Sequence, residues 1–170
     1  MKKKLIAVIA ALTVCVTGLA SCGGSDSSSA ADGGAAVAES TAPDKTYDVI
    51  AVADSLKSGV KWVDSLNELE SDMVEKVIGV KAALYTKGKV YIGSGGTTAE
   101  EIACFEATDN AAAGEIVTAL NARVEAQKKA FENYQPAEMT KLGAPVIVQN
   151  GKYVFMCISD ENDKAKEIIG

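Results

Sequence analysis

The chain has 170 residues, 17 basic against 23 acidic, no histidine and four cysteines, and a net charge of −6. Without histidine it has no Ser-His-Asp or Cys-His catalysis, no His-ligated zinc and no imidazole base. The acidic balance, with no basic stripe, excludes nucleic acid as a partner, and the length suits one domain plus accessory segments.

Lys2, Lys3 and Lys4 precede an uncharged run from Leu5 to Ala20. That run is too short and wrongly flanked for a membrane span, and it reads as a secretory signal. Leu19-Ala20-Ser21-Cys22 closes it. The four residues resemble the [Leu/Val]-[Ala/Ser]-[Gly/Ala/Ser]-Cys cleavage site of bacterial lipoproteins at every position. The resemblance implies that residues 1–21 are removed and that the thiol of Cys22 carries a diacylglyceryl group. Membrane lipid is then a partner through acylated Cys22, and the protein sits on the extracytoplasmic face of the cell membrane. The signal holds three of the basic residues and none of the acidic ones, so the processed chain carries −9.

Residues 22–45 follow as the lipidated cysteine and a tether of Gly, Ser, Ala, Asp, Glu and Thr, with one branched aliphatic residue and no aromatic. Such a segment buries too little apolar surface to offset its ordering entropy and is expected to be disordered. Its reach is roughly 25–30 Å.

A single α+β domain is expected over 46–170. Apolar residues at helical spacing predict a helix over Tyr47–Ser58, ended by Gly59. Leu66, Leu69, Met73, Val74, Val77 and Ile78 predict a second helix ending at Gly79. Residues 80–86 read equally as a helical turn or as a strand turning at Lys87-Gly88, and 88–93 reads as a strand. Glu101–Thr108 is a strand candidate. Asp109 or Asn110 then caps a long helix through Asn133, which ends before Pro136. Residues 136–142 suggest a short extra turn closed by Gly143. Asn150-Gly151 between two β-rich runs predicts a hairpin with those two residues as its loop. The second run, 152–158, has apolar residues in both alternating sets, as a strand covered on both faces would. Ser159-Asp160 is placed to cap a final short helix. The order predicts a mostly antiparallel sheet of about four strands with a long helix and shorter helices packed on it.

Ala99-Glu100-Glu101-Ile102-Ala103-Cys104-Phe105, the run Arg123-x-x-x-Gln127-x-x-x-Phe131 and the hairpin core Gly151-Lys152-Tyr153-Val154 together resemble a family of Gram-positive lipoproteins catalogued as domain of unknown function 4358. The likeness spans roughly residues 45–169. It implies a secreted, membrane-anchored α+β domain and supplies no catalytic residues.

With Cys15 lost in the signal and Cys22 acylated, Cys104 and Cys157 remain. Each lies in an apolar run and reads as a separate core thiol, with one disulfide between them as the alternative. No metal or cofactor is expected. Arg123 and Gln127, one turn apart, are weak ligand-binding candidates, and a structural bridge from Arg123 to Glu101 or Glu106 is the competing reading. Gly95 and Gly96, within 93–98, are candidates for cradling an anion on backbone N–H groups, against a plain inter-strand loop. Adjacent Glu100 and Glu101 point to opposite faces of a strand. Trp62 reads as a wedge between helix and sheet. The expectation is a non-enzymatic module binding an unknown protein or envelope component. The alternatives are a small solute-binding lipoprotein that hands cargo to a transporter, and a wall hydrolase needing two acids roughly 5–10 Å apart in an open cleft.

Overall fold

The computed structural model describes residues 45–170. The expectations for the signal, for Cys22 and for the tether lie outside the described residues. The elements in order are α1 (Val49–Gly59), β1 (Leu66–Glu68), α2 (Ser71–Ile78), a 3₁₀ turn (Ala82–Leu84), β2 (Tyr85–Gly93), β3 (Glu101–Ala107) and α3 (Asn110–Phe131). A second 3₁₀ turn (Pro136–Glu138), α4 (Met139–Gly143), β4 (Val146–Asn150), β5 (Tyr153–Ile158) and α5 (Asn162–Ile169) complete the chain. The five strands form one antiparallel sheet in the order β1-β2-β3-β5-β4.

Helices cover both faces of this sheet. Side chains alternate along each strand, so Ala103 and Phe105 of β3 join Val154 and Met156 of β5 under Ile116, Leu120 and Val124 of α3. On the opposite face Ile102 and Cys104 join Phe155 and Cys157 under Val49, Ala53 and Leu56 of α1 and Ala165 and Ile169 of α5. All six residues of β5 are buried, as its sequence predicted. Cys104 and Cys157 are free thiols in the same core. Burial raises Cys104 and pushes Cys157 up to about 11, so neither is a ready thiolate.

Local chemistry sets the helix ends. The Asp48 side chain accepts from the N–H groups of Ile50 and Ala51, and Asp109 accepts from Ala112 N–H. α2 stops at Gly79, whose φ of 85° suits a left-handed cap. At about 1.5 Å per residue, α3 is about 33 Å long and crosses the sheet.

Three expectations are corrected, and the open reading of 80–86 is decided for a 3₁₀ turn at Ala82–Leu84 running into β2. The sheet has a fifth strand, because Leu66–Glu68 pairs with Tyr91–Gly93 instead of opening the second helix. A three-residue strand with one buried side chain carries no readable period, and only the partner strand decides it.

Lys87-Gly88 is not a turn. β2 runs straight through it with a bulge at Tyr85/Lys87, and Gly88 pairs with Phe105. A Cβ on Gly88 would lie 2.6 Å from Phe105 Cδ1 and 2.9 Å from Cε1, so the glycine makes room for an aromatic ring. Gly88→Ala is therefore expected to cost about 1–3 kcal/mol by overpacking, read as a lower midpoint in urea with an unchanged slope.

The hairpin loop is Gly151-Lys152, with Asn150 paired to Tyr153. Asn150 Nδ2 donates to Tyr47 Oη at 2.8 Å, which holds it in the ladder, and Gly151 takes a φ of 57°. Finally, α5 has no side-chain cap. Ser159 is buried and its Oγ accepts from Glu161 N–H before the helix begins.

Candidate functional site

The strand directions gather the chemistry at one end of the sheet. β3 starts there at Glu101, opposite Ile158 at the end of β5, and β2 ends there at Gly93. The connections 60–65, 94–100, 132–145 and 159–161 therefore meet at this end. Lys45, Tyr47, Gly170 and the β4–β5 loop lie at the other, where the Tyr47 hydroxyl donates to Gly170 O and accepts from Asn150 Nδ2.

Glu100 and Glu101 diverge as alternation requires, and both are buried. Glu101 lies under α3. Arg123 Nη2 donates to its Oε2 at 2.8 Å, Arg123 Nε at 3.2 Å and Gln127 Nε2 at 2.9 Å. The structural bridge is thus the fate of Arg123, and Gln127 joins it. Their i, i+4 spacing puts both over one carboxylate, which is the physical content of the Arg-x-x-x-Gln pattern. Burial pushes the Glu101 carboxyl above its usual range. The Arg123 guanidinium and the Gln127 amide pull it back without cancelling that effect. Gln127 Oε1 is buried without a partner among the described residues.

Glu100 serves the loops. It accepts from the N–H groups of Val63 (3.0 Å) and Asp64 (3.0 Å) and from Lys141 Nζ (3.1 Å). Lys141, 4% exposed, also meets Glu138 at 3.2 Å and Asp160 at 3.5 Å, and Glu138 Oε2 accepts from Ala99 N–H at 2.8 Å. Burial would pull the Lys141 ammonium down, but its hydrogen bonds to Glu100 and Glu138 outweigh this and hold it above its ordinary value. The sequence had signalled Glu100 but not Lys141 or Glu138. They lie some forty residues away on a turn with no legible pattern.

The 93–98 loop does cradle an anion, and the anion is the chain's own. Asp64 Oδ2 accepts from Gly95 N–H at 2.6 Å, and Asp64 Oδ1 accepts from Ser94 Oγ and from Ser65 N–H. Gly96 takes a φ of 66° beside it. The hydrogen bond from Gly95 N–H, then that from Ser94, holds the Asp64 carboxyl below its usual value. A depressed carboxylate contributes stability above its unfolded value of 3.8 and loses it as pH falls through the lower folded value. In Asp64→Ala the Gly95 amide is expected to lose hydrogen-exchange protection while the β3 amides keep theirs, and a protected Gly95 would refute the assignment.

Glu161 adds a fourth clasp, accepting from Lys61 N–H at 2.9 Å. Trp62 packs against the α1 core and donates from Nε1 to Lys57 O at 2.9 Å, as a wedge should. No hydrogen bond joins the Arg123–Gln127 pair to Gly95 or Gly96 among the described residues, so the four candidates form two separate sites. Each of these is occupied by a carboxylate of the same chain.

A family model described as Domain of unknown function (DUF4358) matches residues 62–159. The match spans all five strands with α2, α3 and α4, and leaves α1 and α5 outside it. No curated protein and no solved structure gives a match to the chain.

Proposed function

We propose, from the premise that this chain belongs to the DUF4358 family, that it is a lipid-anchored extracytoplasmic module that binds a protein or other envelope component. The observation that carries this reading is Leu19-Ala20-Ser21-Cys22 behind three lysines and an apolar run. Cleavage before Cys22 and acylation of its thiol leave the domain on a tether of about two dozen polar residues. The buried charged groups support a binding role over a chemical one. Glu100, Glu101, Glu138 and Lys141 are engaged with one another, with Arg123 and Gln127, and with backbone amides, so their chemistry is spent on holding loops. The depression lined by Asp160, Glu161, Asn162, Asp163, Lys164 and Lys166 is open and charged, which suits a macromolecular surface better than an enclosed solute.

Mass spectrometry of the protein from its native membrane is expected to find Cys22 as the first residue with an acyl-bearing thioether. Cys22→Ala is expected to lose the acyl chain and leave the membrane fraction. Recovery from cytosol with Met1 intact and no acyl group would overturn the reading.

A further inference from the structure

The sheet has two edges, and they are guarded differently. β1 forms one with three residues, Glu68 among them, and the stretch of β2 that β1 leaves open carries Lys87, Lys89 and a bulge. Short length, charge and bulges are the usual devices that keep an edge from pairing with another chain. β4 forms the other edge and has none of the three. Val146-Ile147-Val148-Gln149-Asn150 is uncharged, pairs with β5 without a bulge and is β-branched at its first three positions.

The ladder fixes which backbone groups this edge leaves open. Ala107 N–H donates to Lys152 O, so the odd-numbered residues of β3 turn their backbone groups toward β5. Their partners are Ile158, Met156 and Val154, which leaves Tyr153, Phe155 and Cys157 to bond Asn150, Val148 and Val146 of β4. The N–H and C=O groups of Ile147 and Gln149 therefore point away from the sheet, and no hydrogen bond reaches them among the described residues. The next outward position is Pro145, which has no N–H to donate.

These outward groups are self-complementary about one point. A second copy laid antiparallel, with the two-fold axis at Val148, sets Ile147 opposite Gln149 of the second copy and Gln149 opposite its Ile147. Each pair exchanges both of its bonds, so every outward N–H and C=O of Ile147 and Gln149 is satisfied. Val148, which packs against the core under α1 and α5, meets Val148 of the second copy in the closer, non-hydrogen-bonded pair. Moving the axis to Ile147 brings Pro145 into the ladder, and moving it to Gln149 brings in the loop residue Gly151, so either shift leaves groups open. A two-fold axis also sets a residue opposite itself, which a charged strand would not tolerate and this one does.

We infer that β4 is a homodimer edge, at which two copies of the chain pair through Val146–Asn150, antiparallel about Val148, into one continuous sheet with five strands from each copy. The pairing goes beyond the reading above and uses the folded domain alone, whether or not Cys22 is acylated. An isologous contact closes on itself at two copies, so it covers the open edge without propagating into a fibre. The seam is a single short strand pair, and the dimer is accordingly weak and concentration-dependent.

Hydrogen exchange of the full-length protein, with detergent micelles in excess and protein raised from about 10 µM to about 1 mM, reads the seam residue by residue. The Ile147 and Gln149 amides are expected to gain protection by about tenfold or more over this range, while Val146 and Val148, bonded to β5 in either state, stay constant. Sedimentation is expected to pass from monomer to dimer in parallel. Gln149→Pro removes an outward donor that the domain itself does not use, at an edge position where proline is tolerated. It is expected to stay monomeric and to leave the Ile147 amide unprotected at every concentration. Val148→Lys and Val148→Glu are each expected to be monomeric, because the axis sets the charge opposite itself, and their equimolar mixture is expected to dimerise. A monomer at the highest concentration, a dimer that leaves Ile147 and Gln149 unprotected, or a mixture that pairs no better than its parts would each overturn the assignment. Protection of Ile147 that ignores concentration would overturn it too, since a segment of the same chain would then hold the edge. Acylation of Cys22 is read separately by mass spectrometry, so an acylated monomer sinks this seam alone and an unacylated dimer sinks only the anchored reading.

Discussion

Lys141→Met is expected to destabilise the domain by about 3–5 kcal/mol. Lys141 is 4% exposed and is the ammonium that Glu100, Glu138 and Asp160 share. Methionine keeps the volume and removes the charge, leaving Glu100 and Glu138 facing each other in a buried site. The loss of an uncompensated partner, not a cavity, is then the whole effect. Thermal unfolding is expected to fall by roughly 10–20 °C for a domain of this size.

The pH dependence separates this cause from ordinary packing loss. In the wild type Lys141 is held above its ordinary 10.5, so its contribution is fully present below that pH and is lost as pH rises through the higher folded value. In Lys141→Met the deficit is expected to stay constant below pH 10.5 and to shrink above it, as the wild type loses its ammonium. A deficit unchanged as pH rises past 10.5 would show that charge is not the cause. The loops held by Glu100 are expected to loosen together in the variant, which hydrogen exchange at Val63 and Asp64 reads.

Arg123→Ala is expected to cost about 2–4 kcal/mol, below a fully buried case because the Arg123 side chain is 23% exposed. It strands Glu101, 1% exposed, with Gln127 Nε2 as its remaining donor. Glu101→Gln is expected to cost less than Arg123→Ala, although both break the same ion pair. Burial raises the Glu101 carboxyl, so the folded state holds its proton more tightly than the unfolded chain. Its contribution is therefore greatest below the ordinary value of 4.5 and is lost as pH rises through the raised one. Ionised Glu101 is a net burden that Arg123 makes tolerable. Removing the burden is mild, and removing what offsets it is severe. Equal losses from the two variants in a urea titration at pH 7 would contradict this.

Both clusters explain a sequence pattern without invoking catalysis. Ala99-Glu100-Glu101-Ile102 leads into β3, with Glu101 tied to α3 and Glu100 tied to the 63–64 backbone and to Lys141 of α4. An exposed pair of acids would carry no such constraint. The anion cradle of the 93–98 loop has the same logic, since its backbone amides bind Asp64, whose own segment is thereby tied to the sheet.

Local signals were legible wherever a few adjacent residues decide the outcome. The cap at Asp109, the stop at Gly79, the long amphipathic α3 and the two-sided burial of β5 all follow from short-range sterics and from the 3.6 and 2.0 periods, whereas the start of α1 at Val49, capped by Asp48, lies two residues past the expected one. A structural bridge from Arg123 to an acid of the underlying strand was legible too, with Glu101 and Glu106 both open, and the structure assigns Glu101.

What only the tertiary structure decided depends on partners far apart in the chain. Leu66–Glu68 is a strand because β2 offers it an edge. Gly88 is a packing site because Phe105 lies across from it, and the hairpin loop moves by one residue because Tyr47 claims Asn150. Lys141 and Glu138 acquired their roles because the sheet's end brings them to Glu100 and Ala99. Local periodicity is a property of neighbours in sequence, whereas a buried charge must find its counter-charge in space, and only the closed fold specifies which one it meets.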